Sequence, residues 1–68
     1  MNTDLLKSVL VKNGDTQAKL AEFLGISLSV LNAKIHGKRS SFRQNEIMAI
    51  KRRYSLSADE IDEIFFAS

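Results

Sequence analysis

Proline is absent from this chain of 68 residues, and glycine occurs only as Gly14, Gly25 and Gly37, spaced 11 and 12 residues apart. Helix breakers this sparse, with no sustained alternation of Val, Ile and Thr, predict an all-helical fold. The spacing suits a short helix plus a turn, so the glycines read as punctuation rather than as a repeat. A chain of this length buries roughly 60% of the surface its unfolded form exposes. That allows one small core, hence a single domain over residues 1–68, and no deep catalytic cavity. Cysteine is absent and His36 is the one histidine, so packing and helix caps must hold the fold without a disulfide or a zinc site. No metal or organic cofactor is expected. No apolar run approaches the ~20 residues of a membrane span, and MNTDLLKSV lacks the basic-then-apolar layout of a secretory signal. The expected setting is the cytoplasm, with no membrane partner.

Five helices can be laid along the chain. The first is expected from Asp4 to Lys12, capped by Asn2 or Thr3 and stopped by Gly14, with Leu5, Leu6, Val9 and Leu10 forming an apolar stripe. Asp15 or Thr16 caps the second, whose apolar members are Leu20, Ala21 and Leu24, and Gly25 ends it. Ser27 caps a third helix reaching about His36, with Leu31 and Ile35 turned inward and Val30 beside them. Ser41-Phe42-Arg43-Gln44 fits a capping box opening a fourth helix through about Arg53, which aims Ile47, Ile50 and Tyr54 at the core. Ser57-Ala58-Asp59-Glu60 is a second box. It opens a fifth helix with Ile61, Ile64 and Phe65 on one side and acids in its first turn, where the helix dipole favours them. The predicted architecture is a compact five-helix bundle.

The net charge of +2 is modest, but seven cations lie between Lys34 and Arg53 against the single acid Glu46, while four acids and no cation follow Ser55. Such polarity could orient the molecule on a polyanion; two ordinary solvated helix faces would give the same pattern.

The stretch TQAKLAEFLGISLSVLNAKIHGKR, Thr16 to Arg39, places a helix, a short turn containing glycine and a second helix in succession. It resembles the helix-turn-helix of the lambda-repressor-like (Cro/CI, or XRE) DNA-binding domains. The resembling features are Thr16-Gln17 at the helix start, Leu20-Ala21, Leu24-Gly25-Ile26, the cap Ser27, Leu31 and Gly37-Lys38. With the five-helix plan the resemblance extends from about Leu5 to Phe66, and it is nearest to a short phage Cro-type regulator. It implies a transcription regulator that binds an operator in double-stranded DNA, with the helix at about 27–36 in the major groove. By position, Leu28, Ser29, Asn32 and Ala33 would face base edges. An asparagine can pair bidentately with adenine, a serine can donate or accept, and Leu28 or Ala33 can meet a thymine methyl. Leu28 also fits the core stripe, three residues before Leu31 and seven before Ile35. Gln17 would hold a phosphate at the helix N-terminus with Thr16 beside it as cap, and Lys34, His36, Lys38, Arg39 and Arg43 would meet the sugar-phosphate backbone. Lys51, Arg52 and Arg53 are expected on a solvated face elsewhere. Lys34 stands where members of the family usually carry an apolar residue and Ile35 supplies the adjacent one, so the third helix is expected to sit slightly rotated.

Two other classes of function compete. Catalysis has little footing: the carboxylates of DEIDE suit a capped helix start better than an acid–base pair, and there is no glycine-rich phosphate loop. A protein-interaction module, of antirepressor or antitoxin type, is the stronger rival. No Arg or Gln stands at positions 28, 29 or 32, and Phe65 and Phe66 cannot both enter one core. At least one of these aromatics is then available to a partner protein or to a second copy in a homodimer reading half-sites about 34 Å apart. No small-molecule ligand is indicated.

Overall fold

Five side chains are fully enclosed, Leu6, Leu20, Leu31, Ile50 and Ile64, and each comes from a different helical segment. The computed structural model describes residues 1–37 and 41–66. Among these residues the regular elements are all helical: α1 (Thr3–Lys12), α2 (Gln17–Leu24), α3 (Leu28–His36), α4 (Gln44–Arg53) and α5 (Ala58–Ile61), which widens into a π-helical turn at Asp62–Phe66. Leu10, Ala21, Ile35, Tyr54, Leu56 and Ile61 close the core around the five, and Leu5, Leu24, Ile26 and Ile47 pack against it half-buried. The radius of gyration is 10.9 Å, matching the ~11 Å expected of a folded chain this long.

Side-chain caps set most of the helix starts. Asn2 Oδ1 accepts from Leu5 N at 3.0 Å, so Asn2 rather than Thr3 is the cap. The Thr3 hydroxyl instead donates to the Ile35 carbonyl at 3.3 Å, tying the start of α1 to the end of α3. Thr16 and Ser27 cap α2 and α3 by accepting from Lys19 N and Val30 N, each at 3.1 Å. Ser57 and Glu60 form the reciprocal box expected for α5, with bonds of 3.1 and 2.9 Å. The fourth helix departs from expectation. It opens at Gln44 with Arg43 as N-cap, and the Arg43 N–H donates to Glu46 Oε1 at 2.8 Å. A guanidinium cannot accept a hydrogen bond, so only the glutamate half of the box exists. The charged Glu46, rather than Gln44, supplies it.

α1, α2 and α4 end alike. Gly14, Gly25 and Ser55 adopt left-handed conformations, with φ of 64°, 72° and 52°. The amide after each reaches back to a carbonyl five residues earlier: Asp15 to Leu10 at 2.8 Å, Ile26 to Ala21 at 3.0 Å and Leu56 to Lys51 at 2.9 Å. These are Schellman endings, in which the residue past the left-handed one turns back onto the helix. Glycine enters the left-handed region without penalty, whereas Ser55 carries a Cβ there. Ser55→Gly should therefore raise the unfolding free energy by about 0.5 kcal/mol, the strain relieved outweighing the added chain entropy. A urea titration that found the variant less stable than the parent would contradict this.

Asp15, just past the end of α1, joins three parts of the chain. Its carboxylate accepts from Thr16 N at 3.0 Å, Arg53 Nε at 2.9 Å and the Tyr54 hydroxyl at 2.7 Å. The Arg53 guanidinium also lies over the Phe23 ring, 4.5 Å from its centroid. Arg53 is exposed, as expected, but its guanidinium is held between Asp15 and Phe23 because α4 delivers it beside the α1–α2 junction. The Tyr54 and Arg53 hydrogen bonds hold the Asp15 carboxyl down at about 2. Burial, followed by the adjacent carboxylate, pushes the Tyr54 phenol up to about 12. An unfolded aspartate titrates near ~3.9, so the folded carboxyl is the depressed one. Its stabilisation is present above that value and is lost as pH falls towards 2. With solvent around Arg53 the contribution should be about 1–2 kcal/mol. Parent and Asp15→Asn proteins should differ in urea midpoint at pH 6, and the gap should narrow below about pH 4 and close only below about pH 2; a gap undiminished in that range would rule out the ionised carboxylate as its source.

Candidate functional site

α2 and α3 pack on each other across the connector Gly25-Ile26-Ser27. Each connector residue has a defined part. Gly25 supplies the left-handed turn, Ile26 bonds back to Ala21 and packs against the core, and Ser27 caps α3. Both ends of the connector are therefore hydrogen-bonded to a helix, and α3 leaves it in a defined direction.

α3 buries Leu31, Lys34 and Ile35. On the opposite side Ser29, Asn32, Ala33 and His36 follow one another at intervals of three, one and three residues, which is a single helical stripe. Ser29 and His36 are exposed, while Asn32 and Ala33 are half-buried. Leu28 and Val30 flank the stripe and are 45% and 41% exposed. Leu28 is thus outside the core, the first turn of α3 lying at the edge of the bundle. Val30, expected beside the inward residues, faces water because it lies about 100° round the helix from Leu31.

Lys34 departs furthest from expectation. Assigned by position to the sugar-phosphate backbone, it is 7% exposed. Its ammonium lies 3.1 Å from Glu46 Oε1 and donates to the Ser41 carbonyl at 3.1 Å. An ammonium can be buried there because a carboxylate and a carbonyl replace its water. α3 therefore does not turn Lys34 out to solvent: Ile35 and Lys34 are both taken in, one into the core and one into an ion pair. Burial disfavours the charge on Glu46, but the Arg43 amide and the Lys34 ammonium outweigh it and hold the carboxyl below its ordinary value.

The remaining anticipated anion contacts fall at two helix starts. At α2 the Thr16 oxygen is occupied by Lys19 N, while the first-turn amides, Gln17 among them, have no partner within the helix. The Gln17 side chain is half-buried there and Lys19 is exposed. Arg43 is exposed at the start of α4, and Lys38 and Arg39 lie outside the described residues. No family model, curated protein or solved structure matches the chain. The chemistry must be read from the residues themselves. Among the described residues, the Ser29, Asn32 and His36 side chains take part in no internal hydrogen bond.

A second surface lies at the π-helical turn. Phe65 packs edge-on against Phe42, with centroids 5.3 Å apart and rings at 73°. Phe66 is 66% exposed. Beside it opens a cleft of about 270 Å³, lined by Met1, Phe42, Ile47, Phe65 and Phe66 together with Lys34, Gly37 and Ser41.

Sequence reasoning passed over Phe23, Glu46 and the fixed role of Arg53. For Glu46 a signal existed: it is the lone acid in a basic run, and Lys34 occupies an inward helical position. For Phe23 and Arg53 there was none, since the two meet only through the tertiary approach of α4 to α2. Lys34→Met should strand Glu46 and lower stability by about 3 kcal/mol. Adding Glu46→Gln removes the stranded charge while keeping an acceptor for the Arg43 amide, so the double variant should recover part of that loss. Urea denaturation of the parent, the single and the double variant checks this, and a double variant less stable than Lys34→Met would refute the coupling.

Proposed function

We propose that this chain is a sequence-specific DNA-binding regulator of transcription of the lambda-repressor-like helix-turn-helix type. In this reading α2, the Gly25–Ser27 connector and α3 form the helix-turn-helix, with α3 in the major groove of a double-stranded operator. One observation carries the proposal: the outward stripe of α3 presents Ser29, Asn32 and Ala33, flanked by Leu28, and the Ser29 and Asn32 side chains bond to no other described residue. A groove about 12 Å wide admits one helix, and base edges are read by short side chains of this kind on its first turns. Thr16, Gln17 and the α2 amides, with His36, Arg43, Lys38 and Arg39 at the flanks, are the proposed phosphate contacts. They set position and supply affinity, whereas the stripe specifies sequence. Lys34 has no part in this. The resemblance suggests a Cro- or repressor-like regulator of phage origin acting in the bacterial cytoplasm, with a homodimer as one form it could take.

One observation favours a second reading. Phe66 stands 66% exposed beside an apolar cleft, a surface suited to a partner protein. Amide NMR spectra recorded during titration with generic duplex DNA, at low and then high salt, separate the two. DNA binding predicts shifts at Thr16–Gln17 and Ser27–Arg43 that recede with salt, because phosphate contacts release counterions. An absence of shifts at low salt, or shifts centred on Phe65 and Phe66, would move the assignment to the partner-binding module.

A further inference from the structure

The chemistry of α3 narrows what such a helix could select. Its surface offers one carboxamide (Asn32), one hydroxyl (Ser29) and the aliphatic groups of Leu28, Val30 and Ala33. Guanine presents two acceptors to the major groove and is read best by a planar or multiple donor, arginine or lysine. The one lysine of α3 is Lys34, held 3.1 Å from Glu46 and 3.1 Å from the Ser41 carbonyl on the inner side. Cytosine presents an amino donor that a carboxylate would take; the α3 sequence LSVLNAKIH contains none. An asparagine amide, one donor beside one acceptor, matches the N6–H and N7 of adenine. Thymine is distinguished by its methyl group, which suits an exposed aliphatic side chain. His36 could donate to guanine, but it lies seven residues beyond Ser29, about 10 Å along the helix, where α3 ends.

We propose, building on the DNA-binding reading above, that the base pairs under α3 are A·T pairs, with Asn32 on an adenine and Leu28, Val30 and Ala33 against thymine methyl groups. The arrangement of the side chains supports this division of labour. Leu28 and Asn32 are four residues apart, as are Ser29 and Ala33, so the amide and hydroxyl run down the middle of the face. Leu28 lies on one border and Val30 on the other, each more than 40% exposed. Aliphatic surface left in water on both sides of a polar stripe gains from contact with methyl groups on successive thymines. Hydration of a guanine or cytosine edge would oppose the same contact.

The test begins by selecting bound duplexes from a random-sequence pool, then replaces each thymine of the selected site singly with deoxyuridine. That exchange deletes the methyl group and leaves every hydrogen-bonding atom in place. The expected site is A·T in the stretch protected by α3, and each contacted methyl removed should weaken binding about fourfold, the equivalent of one buried carbon. In Leu28→Ala, whose fold is checked by circular dichroism, sensitivity to one of those exchanges should disappear. Asn32→Ala should relax the preference for adenine at one position. Selected sites with guanine or cytosine under α3, or affinities indifferent to deoxyuridine throughout, would overturn this inference while leaving DNA recognition standing. If no duplex binds in a salt-dependent way, the DNA-binding reading fails and this inference falls with it.

Discussion

The ion pair between Lys34 and Glu46 determines which side of α3 the protein shows to its surroundings. A helix whose inward line held only Leu31 and Ile35 could roll by tens of degrees and still bury both. Lys34 removes that freedom, because an ammonium inside the bundle must meet its carboxylate and carbonyl at bonding distance or remain unpaired at a cost of several kcal/mol. Glu46 is fixed in turn, since the same oxygen accepts the Arg43 amide that opens α4. The start of one helix and the roll of another are thus coupled through a single carboxylate. Ser29, Asn32, Ala33 and His36 face outward as a consequence.

Asp15 does for the opposite end of the bundle what Glu46 does here. It follows the Schellman ending of α1, precedes the cap of α2 and takes both Arg53 and Tyr54 from the end of α4. Its side chain therefore holds the α2 start against α4, while the connector at Gly25 holds the α2 end against α3. With both ends tied, α2 is a fixed strut between the two proposed contact regions, its own N-terminus and the face of α3. The two carboxylates are placed so that neither lies on that face. Negative charge that would repel a polyanion is instead neutralised by Lys34 and Arg53.

Much of this architecture is legible in the residues alone, and where it is not the reason is physical. Asn2, Thr16, Ser27 and Ser57 cap as their side chains predict, because a cap is a local bond spanning three residues. Gly14 and Gly25 end their helices for the same kind of reason. Ser55 takes a glycine's conformation without a glycine's signal: Leu56 must reach the core, and burying it compensates the strained serine. Lys34 carries the sequence signal of a surface cation yet is inside, whereas Arg43 is exposed as a surface cation should be and its backbone N–H also opens α4. Their roles depend on Glu46, which reaches both only after α3 and α4 have docked. The candidate stripe was legible in the positions of Ser29, Asn32 and Ala33. The exposure of Leu28 was legible only as one of two readings, since the residue after the cap also fitted the core stripe, and that of Val30 was not, because periodicity cannot say where the bundle ends along a helix.

The distribution of charge gives the proposed interface a particular character. Among the described residues, the exposed cations Lys19 and Arg43 stand at the starts of the neighbouring helices α2 and α4, while the outward face of α3 carries none. Phosphate attraction acts over about 8–10 Å at physiological salt and is indifferent to sequence. If that attraction came from the face, it would hold any duplex equally well in the groove. Placing it at the margins lets an approaching duplex be captured there, while entry of α3 depends on whether the amide, hydroxyl and aliphatic groups find their matching base edges. A wrong sequence would leave Asn32 and Ser29 without partners after their water had been displaced, costing ~1–3 kcal/mol for each unsatisfied group. In the proposed mode of binding, discrimination would come more from what a mismatched site withholds than from what a matched site adds. That is why a face so poor in charge is compatible with specific recognition.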